Sequence, residues 1–322
     1  MEIDFNKKAV QWACKILQSQ EYELTSQDPE IVQETPWSYV SRFYSSDGFI
    51  YLKRTPRQLS FEAQILQVLK NQFHQPVPRV ISYNSTLDCF LMEDAGRSLR
   101  VLLKQQFDPQ FLIKAVCQFT TMQLVVADQV EIFLELGIPD WRLERLPDLY
   151  IQLLSRKDIL MADGLSIDEI DTLKMLLPKV IHLCQQIFTY SIPPSIVQPD
   201  FNDNNTLINE RTLNLTFIDL GEIVITHPFF SFLNFLKAIK KHYYQIGINY
   251  PDSALIDSFL ENFSQLESWE NLTKSFELVR KLEPIYTALS YIRLMDICGT
   301  KSLDKFYGCG RLRSALLHFI SE

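Results

Sequence analysis

The chain has 322 residues, 47% of them hydrophobic and 12% aromatic. That is enough for a packed core in two domains or one large two-part unit, and too apolar for intrinsic disorder. A formal net charge of −8 argues against nucleic-acid binding, which needs a basic face, while remaining compatible with a cationic substrate. Six scattered cysteines, none in a C-x-x-C pair, fit reduced thiols in a reducing compartment rather than zinc or disulfides.

The opening "MEIDFNKKAV" is polar and acidic where a secretory signal would be basic and then apolar. No run resembles the roughly 20 apolar residues that span a bilayer, so the expectation is a cytoplasmic protein without membrane or nucleic-acid partners. The first clear unit is "WSYVSRFYSSDGFIYLKR", two aromatic and β-branched runs around Asp47-Gly48, a dipeptide that tolerates positive φ and so predicts a hairpin. In "TPRQLSFEAQILQVLKNQF", Thr55 as cap, Pro56 in the first turn and Gln58 closing a capping box predict one helix. "VPRVISYN" and "CFLMED" read as two more strands. Beyond residue 95 helical periodicity takes over. Asp108 is expected to cap one long helix. Ser166 with Glu169 is expected to box another, which Pro178 would kink. Between Ile196 and Val224 that pattern stops, and "NTLIN", "LTFID" and "EIVI" read as a small hairpin system. The fold class expected is α+β: a sheet-rich part over residues 1–94, then a larger, mainly helical part over 95–322.

Polar chemistry concentrates in "QPDFNDNNTLINERTLNLTFIDLGE". Phosphoryl transfer needs a carboxylate to position an acceptor hydroxyl, oxygen ligands for Mg²⁺ and a cation on the nucleotide phosphates. Asp200 would be the base, and Asn205 and Asp219 the metal ligands, since Mg²⁺ takes carboxylate and amide oxygens. The bland alternative is a set of Asx-turns at the rim of a hairpin.

This arrangement resembles the aminoglycoside phosphotransferase family of the protein-kinase-like superfamily, whose catalytic loop H-G-D-x-x-x-x-N is followed across a hairpin by a metal-binding Asp. "QPDFNDNN" and "FIDLGE" hold Asp200, Asn205 and Asp219 at the matching positions. "GEIVITHPFFSFL", "TPWSYVSRF" and "GIPDWRLERLPD" are similar to segments of one branch of that family, so the likeness spans about residues 30 to 300. It implies a two-lobed kinase-like fold, with ATP or GTP as co-substrate and a small-molecule hydroxyl as acceptor. It implies roles as well: Lys53 on the α/β-phosphates, Glu62 pairing with Lys53, Ser38 offering backbone N–H groups to phosphate, and Met92 and Glu93 at the adenine-reading hinge. For the same residues taken alone, an edge-strand lysine, a helix-surface glutamate and a core methionine stay open. Three departures stand out: no glycine in "TPWSYVS", Gln198-Pro199 in place of His-Gly, and Ser231 where many members keep an Asp bracing the catalytic loop. The last two motivate an alternative, a nucleotide-binding pseudokinase acting through a protein partner. His227 is read as hydrogen-bonded within the fold, and Asp203 and Asn204 as facing solvent or capping turns. Asp140, Asp148 and Glu222 are acids for a cationic acceptor by loose analogy only.

Overall fold

The structure is a computed structural model that describes residues 4–46, 48–248 and 251–321. It is a mixed α+β protein, with an antiparallel five-stranded sheet in the N-terminal region and a mostly helical C-terminal part. The chain divides into two compact units, Met1–Ser98 with Leu207–Glu222, and Leu99–Thr206 with Ile223–Glu322.

In the first unit, β1 (Glu30–Thr35), β2 (Ser38–Ser45), β3 (Gly48–Arg54), β4 (Val80–Asn84) and β5 (Cys89–Glu93) form the sheet in the order β1-β2-β3-β5-β4. The β2–β3 hairpin follows the sequence expectation, although Asp47 lies outside the described residues. Helix α1 (Phe5–Ser19) occupies the segment read as merely polar. Asp4 caps it by accepting from the Lys7 N–H, and Ala9, Ala13 and Leu17 recur every fourth residue, so all three face inward. They pack on Phe43, Ile50, Leu52, Cys89 and Leu91. Because side chains alternate along a strand, Leu52 joins this layer and Lys53 points to the opposite face.

The helix expected from Thr55 starts later. Arg57–Leu59 form a single 3₁₀ turn without a side-chain cap, and α2 runs over Glu62–Asn71. The turn buries Leu59 at 2% exposure, and the later start sets Glu62 in the helix's first turn. After β5, β6 (Arg97–Ser98) pairs with β8 (Thr206–Ile208), and β8 neighbours β9 (Leu215–Phe217). Gly96, at φ +110°, permits this approach: a Cβ there would lie 2.3 Å from the Ile208 carbonyl oxygen. With this pairing, the Phe217 N–H donating to the Pro76 carbonyl and the turn at Leu220–Glu222 packing on α2, residues 207–222 group with the first unit. "EIVI" is not part of the same hairpin system. Its strand β10 (Val224–Thr226) pairs with β7 (Ser195–Val197), in the second unit.

In the second unit, α3 (Leu99–Gln105) precedes α4 (Pro109–Val126), which Asp108 caps through the Gln110 N–H. Against the expectation from sequence, the stretch Pro109–Glu135 is long and apolar enough by length and composition to cross a membrane. Half of its most apolar window is buried. Leu112, Val116, Phe119 and Met122 pack inside, and Gln123 donates to the Ile196 carbonyl, so its apolarity belongs to a core helix. Ser166 and Glu169 form the expected capping box. Pro178 does not kink a single helix but divides it: Ile167–Met175 ends, Leu176 intervenes, and Pro178 sits in the first turn of Leu177–Ile187, where its missing N–H costs nothing. Phe229, Phe232, Phe259, Phe263 and Phe276, on three later helices and the turn after the second, form an aromatic core.

Candidate active site

Two polar clusters stand out, one in each unit. In the first, Lys53 is 4% exposed and its ammonium lies 2.5 Å from Asp219 Oδ1 and 2.7 Å from Glu62 Oε2. Burial alone would strip the proton from Lys53, but the two carboxylates outweigh it and hold the pKa above the ordinary lysine value. Burial pushes the Glu62 carboxyl up, with Lys53 opposing. The other oxygen of Glu62 accepts from the Leu220 N–H at 3.1 Å, so one side chain holds both the lysine and the turn after Asp219. Asp219 itself adopts φ +64°, a left-handed conformation that short polar side chains tolerate best. Gly221 completes the turn: a Cβ there would come within 3.1 Å of Glu62 and 3.2 Å of the Leu59 carbonyl. Lys53 is thus not a solvated edge lysine, nor Glu62 a surface acid.

The other first-unit candidates lie in the sheet. Ser38 opens β2 opposite Thr35, and the intervening Pro36-Trp37 turn contains no positive φ. Met92, 9% exposed, pairs with Tyr51 and Val80. The Glu93 N–H donates to the Arg79 carbonyl at 3.0 Å, and its carboxylate is ion-paired with Arg79.

The second cluster is the loop after β7. Asp200 is exposed, while Asn202, Asp203, Asn205 and Thr206 are buried. Both oxygens of the Asp200 carboxylate accept side-chain amide N–H groups, from Asn202 at 2.9 Å and from Asn205 at 2.8 Å. The same two amides donate to the Asp200 main-chain carbonyl at 2.8 and 2.9 Å. Asn202 Oδ1 in turn accepts from the Asn204 and Asn205 N–H groups. Phe201 fixes the loop from below, stacked on Phe119 at 4.0 Å and on Phe235 at 4.7 Å. The brace expected of an Asp at position 231 is supplied by Ser231, whose buried hydroxyl accepts from the Gln198 N–H at 2.9 Å.

Asp203 corrects the sequence reading: it does not face solvent but is fully buried, with Arg100 and Tyr243 as partners. Arg100 and Tyr243 lie far from the loop in sequence and carry no local signal. Asp140 is committed to Arg142 and Arg145. Burial raises its pKa, but the Arg142 bonds prevail and hold the carboxyl below its ordinary range. His227 does have a hydrogen bond within the fold, accepting at Nδ1 from the Phe229 N–H, and burial pushes its pKa down to about 3.

Among the described residues no group of three His, Cys, Asp or Glu could hold a metal. A Mg²⁺ site of one amide, one carboxylate, phosphate oxygens and water needs no such group. Taken separately, two donors suit that ion's chemistry: with its Nδ2 turned to Asp200, Asn205 presents an amide oxygen, and Asp219 carries a carboxylate. Asn205 belongs to one unit and Asp219 to the other.

A small antiparallel sheet bearing a buried Lys–Glu pair, followed by a helical unit bearing an Asp-x-x-x-x-Asn loop, defines the protein-kinase-like class. The sequence profile of the phosphotransferase enzyme family (APH) matches residues 30–247, and the chain belongs to that family. No curated protein sequence matches it. Among solved structures it is similar to the Plasmodium vivax ethanolamine kinase, with a TM-score of 0.62 and 13% identity over 91% of this chain and 84% of the other. It is also similar to the aminoglycoside phosphotransferase APH(2″)-IIa in its gentamicin complex (TM-score 0.61, 14% identity, 98% and 97% covered). A third is APH(2″)-Ib in its ADP-bound form (TM-score 0.58, 12% identity, 98% and 97% covered). These likenesses establish the fold.

Proposed function

We propose that the protein transfers the γ-phosphate of Mg·ATP, or of GTP, to a hydroxyl group of a small molecule. The observation that carries this reading is the Asp200–Asn205 pair. Amide N–H groups anchor the carboxylate at both oxygens while Asn205 keeps its own oxygen for a metal. Asp200 orients the acceptor hydroxyl and takes its proton as the new P–O bond forms. The bond between the γ-phosphorus and the bridging oxygen breaks, and ADP leaves with that oxygen. Asn205 and Asp219 would hold Mg²⁺, which neutralises charge on the phosphates. Lys53, kept protonated and placed by Glu62, steadies the α- and β-phosphates. Ser38 and the turn before it cover the phosphates. Met92 packs near the adenine, whose edge is read by backbone groups from Glu93 onward. In this reading residues 1–94 serve the nucleotide and 95–322 catalysis and the acceptor. Among the described residues no two of the six cysteines are joined in a disulfide, which supports a cytoplasmic setting. No observation favours the pseudokinase alternative: of the two departures that motivated it, Ser231 still braces the loop by accepting the Gln198 N–H.

The test is thermal unfolding with and without Mg·ATP, in the wild type and in Asp219→Asn. Nucleotide at about 100 times its dissociation constant stabilises by about 2.7 kcal/mol. A Mg-dependent rise in midpoint that Asp219→Asn abolishes, followed by ADP release in an acceptor screen, is expected. No rise with ATP or GTP would overturn the proposal.

A further inference from the structure

The catalytic loop carries a second tier of contacts that the reaction itself does not call for. Asn202 is the link. Its Nδ2 donates to Asp200, and its Oδ1 accepts from three N–H groups: Asn204, Asn205 and, at 3.0 Å, Arg100 Nη2. An Asn amide can be turned over at little cost unless its neighbours discriminate oxygen from nitrogen. Three donors on one side and a carboxylate on the other do so here. Arg100 is itself fixed, because its Nε and Nη2 both donate to Asp203 Oδ1, at 2.9 and 2.8 Å. The Tyr243 hydroxyl donates to Asp203 Oδ2 at 2.5 Å, and the Arg100 N–H donates to the Asp203 carbonyl at 3.0 Å. Asp203 is 0% exposed. A buried carboxylate of that kind persists only when every lone pair facing the interior is matched. The result is a continuous chain from Tyr243 through Asp203, Arg100 and Asn202 to Asp200.

We propose that Asn202 is a positioning residue that aims the Asp200 carboxylate, and that Arg100, Asp203 and Tyr243 hold the Asn202 amide in its working orientation. The inference rests on the reading of Asp200 as the group that receives the acceptor proton. It goes further by assigning a role to four residues outside the phosphate and metal ligands. A fork is needed at position 100: one guanidinium spans Asn202 and Asp203 at once, whereas an ammonium supplies charge without that geometry. Arg100→Lys is therefore expected to behave like Arg100→Met, not like the wild type.

The experiment compares wild type, Asn202→Ala, Asn202→Asp, Arg100→Met, Arg100→Lys and Tyr243→Phe. Three readouts are taken: hydrolysis of Mg·ATP with water as acceptor, Mg·ADP affinity by calorimetry, and hydrogen exchange at the Asn204 and Asn205 backbone amides. Turnover should fall about 10–100-fold in both Asn202 variants and both Arg100 variants, the range for misplacing a catalytic group by about an ångström. Tyr243→Phe should lose less. Mg·ADP affinity should stay within about threefold of wild type, and the two amides should exchange about tenfold faster or more once their acceptor is released. A merely structural role would lower turnover and nucleotide affinity together, in step with the melting temperature, and that result overturns the proposal. So does unchanged turnover in a folded Asn202→Ala protein. If the wild type neither binds Mg·ADP nor hydrolyses Mg·ATP, the kinase reading fails instead. Exchange at Asn204 and Asn205 in Arg100→Met then decides alone: acceleration keeps the clamp on the loop, and unchanged protection rejects it.

Discussion

In the first unit charged side chains converge: Lys53 and Glu62 are buried, and Asp219, on the other side of the lysine, is 34% exposed. In the second, the Asp200 carboxylate is framed by neutral amides, and the buried ion pair of the loop, Arg100–Asp203, stands three residues along the chain. The difference has energetic consequences. Removing a member of a buried charge cluster strands its partner in low dielectric, so the cost appears as lost stability. Removing a member of an amide frame leaves weaker polar groups unmatched and costs mainly geometry. Stability and chemistry are thus expected to separate between the two clusters.

The largest expected effect is Asp200→Asn, which keeps the shape of the frame and removes the proton acceptor. Phosphate transfer should fall by about 10²–10⁴-fold, the usual contribution of general base catalysis. Mg·ADP affinity and unfolding free energy should change little, as calorimetry and urea denaturation would report. If both fell together, the contrast between the clusters would be lost. Next comes Glu62→Ala, which leaves Lys53 with Asp219 alone. Unfolding free energy should drop by about 3 kcal/mol, in the range for breaking a buried pair, and nucleotide affinity should weaken with it. A loss below about 1 kcal/mol would mean that the lysine finds other solvation.

The smallest effect concerns a buried titratable group of the second unit that stands apart from both clusters. His227 keeps its proton off down to about pH 3 in the folded state, against an ordinary value of 6.5. The unfolded chain therefore binds the proton first, and stability present above pH 6.5 is lost as pH falls from 6.5 toward 3. Between pH 7 and pH 5 this residue alone should cost the folded state roughly 2 kcal/mol. His227→Gln should show a correspondingly shallower acid slope in urea denaturation. Equal slopes would show that the buried imidazole is not what couples this part of the protein to pH.

How much of this was legible in the sequence depended on range. Asp200, Asn205 and Asp219 could be named because the loop that carries them is continuous and its spacing is dictated by the chemistry it suits. Glu62 could be placed in a helix, but not at that helix's start, because the 3₁₀ turn is decided by the burial of Leu59 and not by the capping signals of Thr55 and Gln58. Helix α1 was passed over because only Ala9, Ala13 and Leu17 are fully buried, and two alanines in three barely register as hydrophobic periodicity, while the larger Val10, Trp12 and Ile16 pack at the edge of that face. Arg100 and Tyr243 are legible only in three dimensions: each is an ordinary residue of an amphipathic helix until Asp203 is found beneath it. Ser231 illustrates the converse. Its identity suggested a missing brace, yet its hydroxyl accepts the Gln198 N–H and so ties the start of the loop to the helix that carries it.

The left-handed backbone at Asp219 acts as a filter on what substitution can leave behind. Asn and Gly enter that conformation readily, whereas most side chains, alanine included, meet about 1–2 kcal/mol of strain there. Across all replacements at position 219, tolerance in a folding screen should centre on Asp, Asn and Gly, while tolerance in a phosphate-transfer screen should narrow to Asp. The gap between those two sets would separate shape from charge at a single residue.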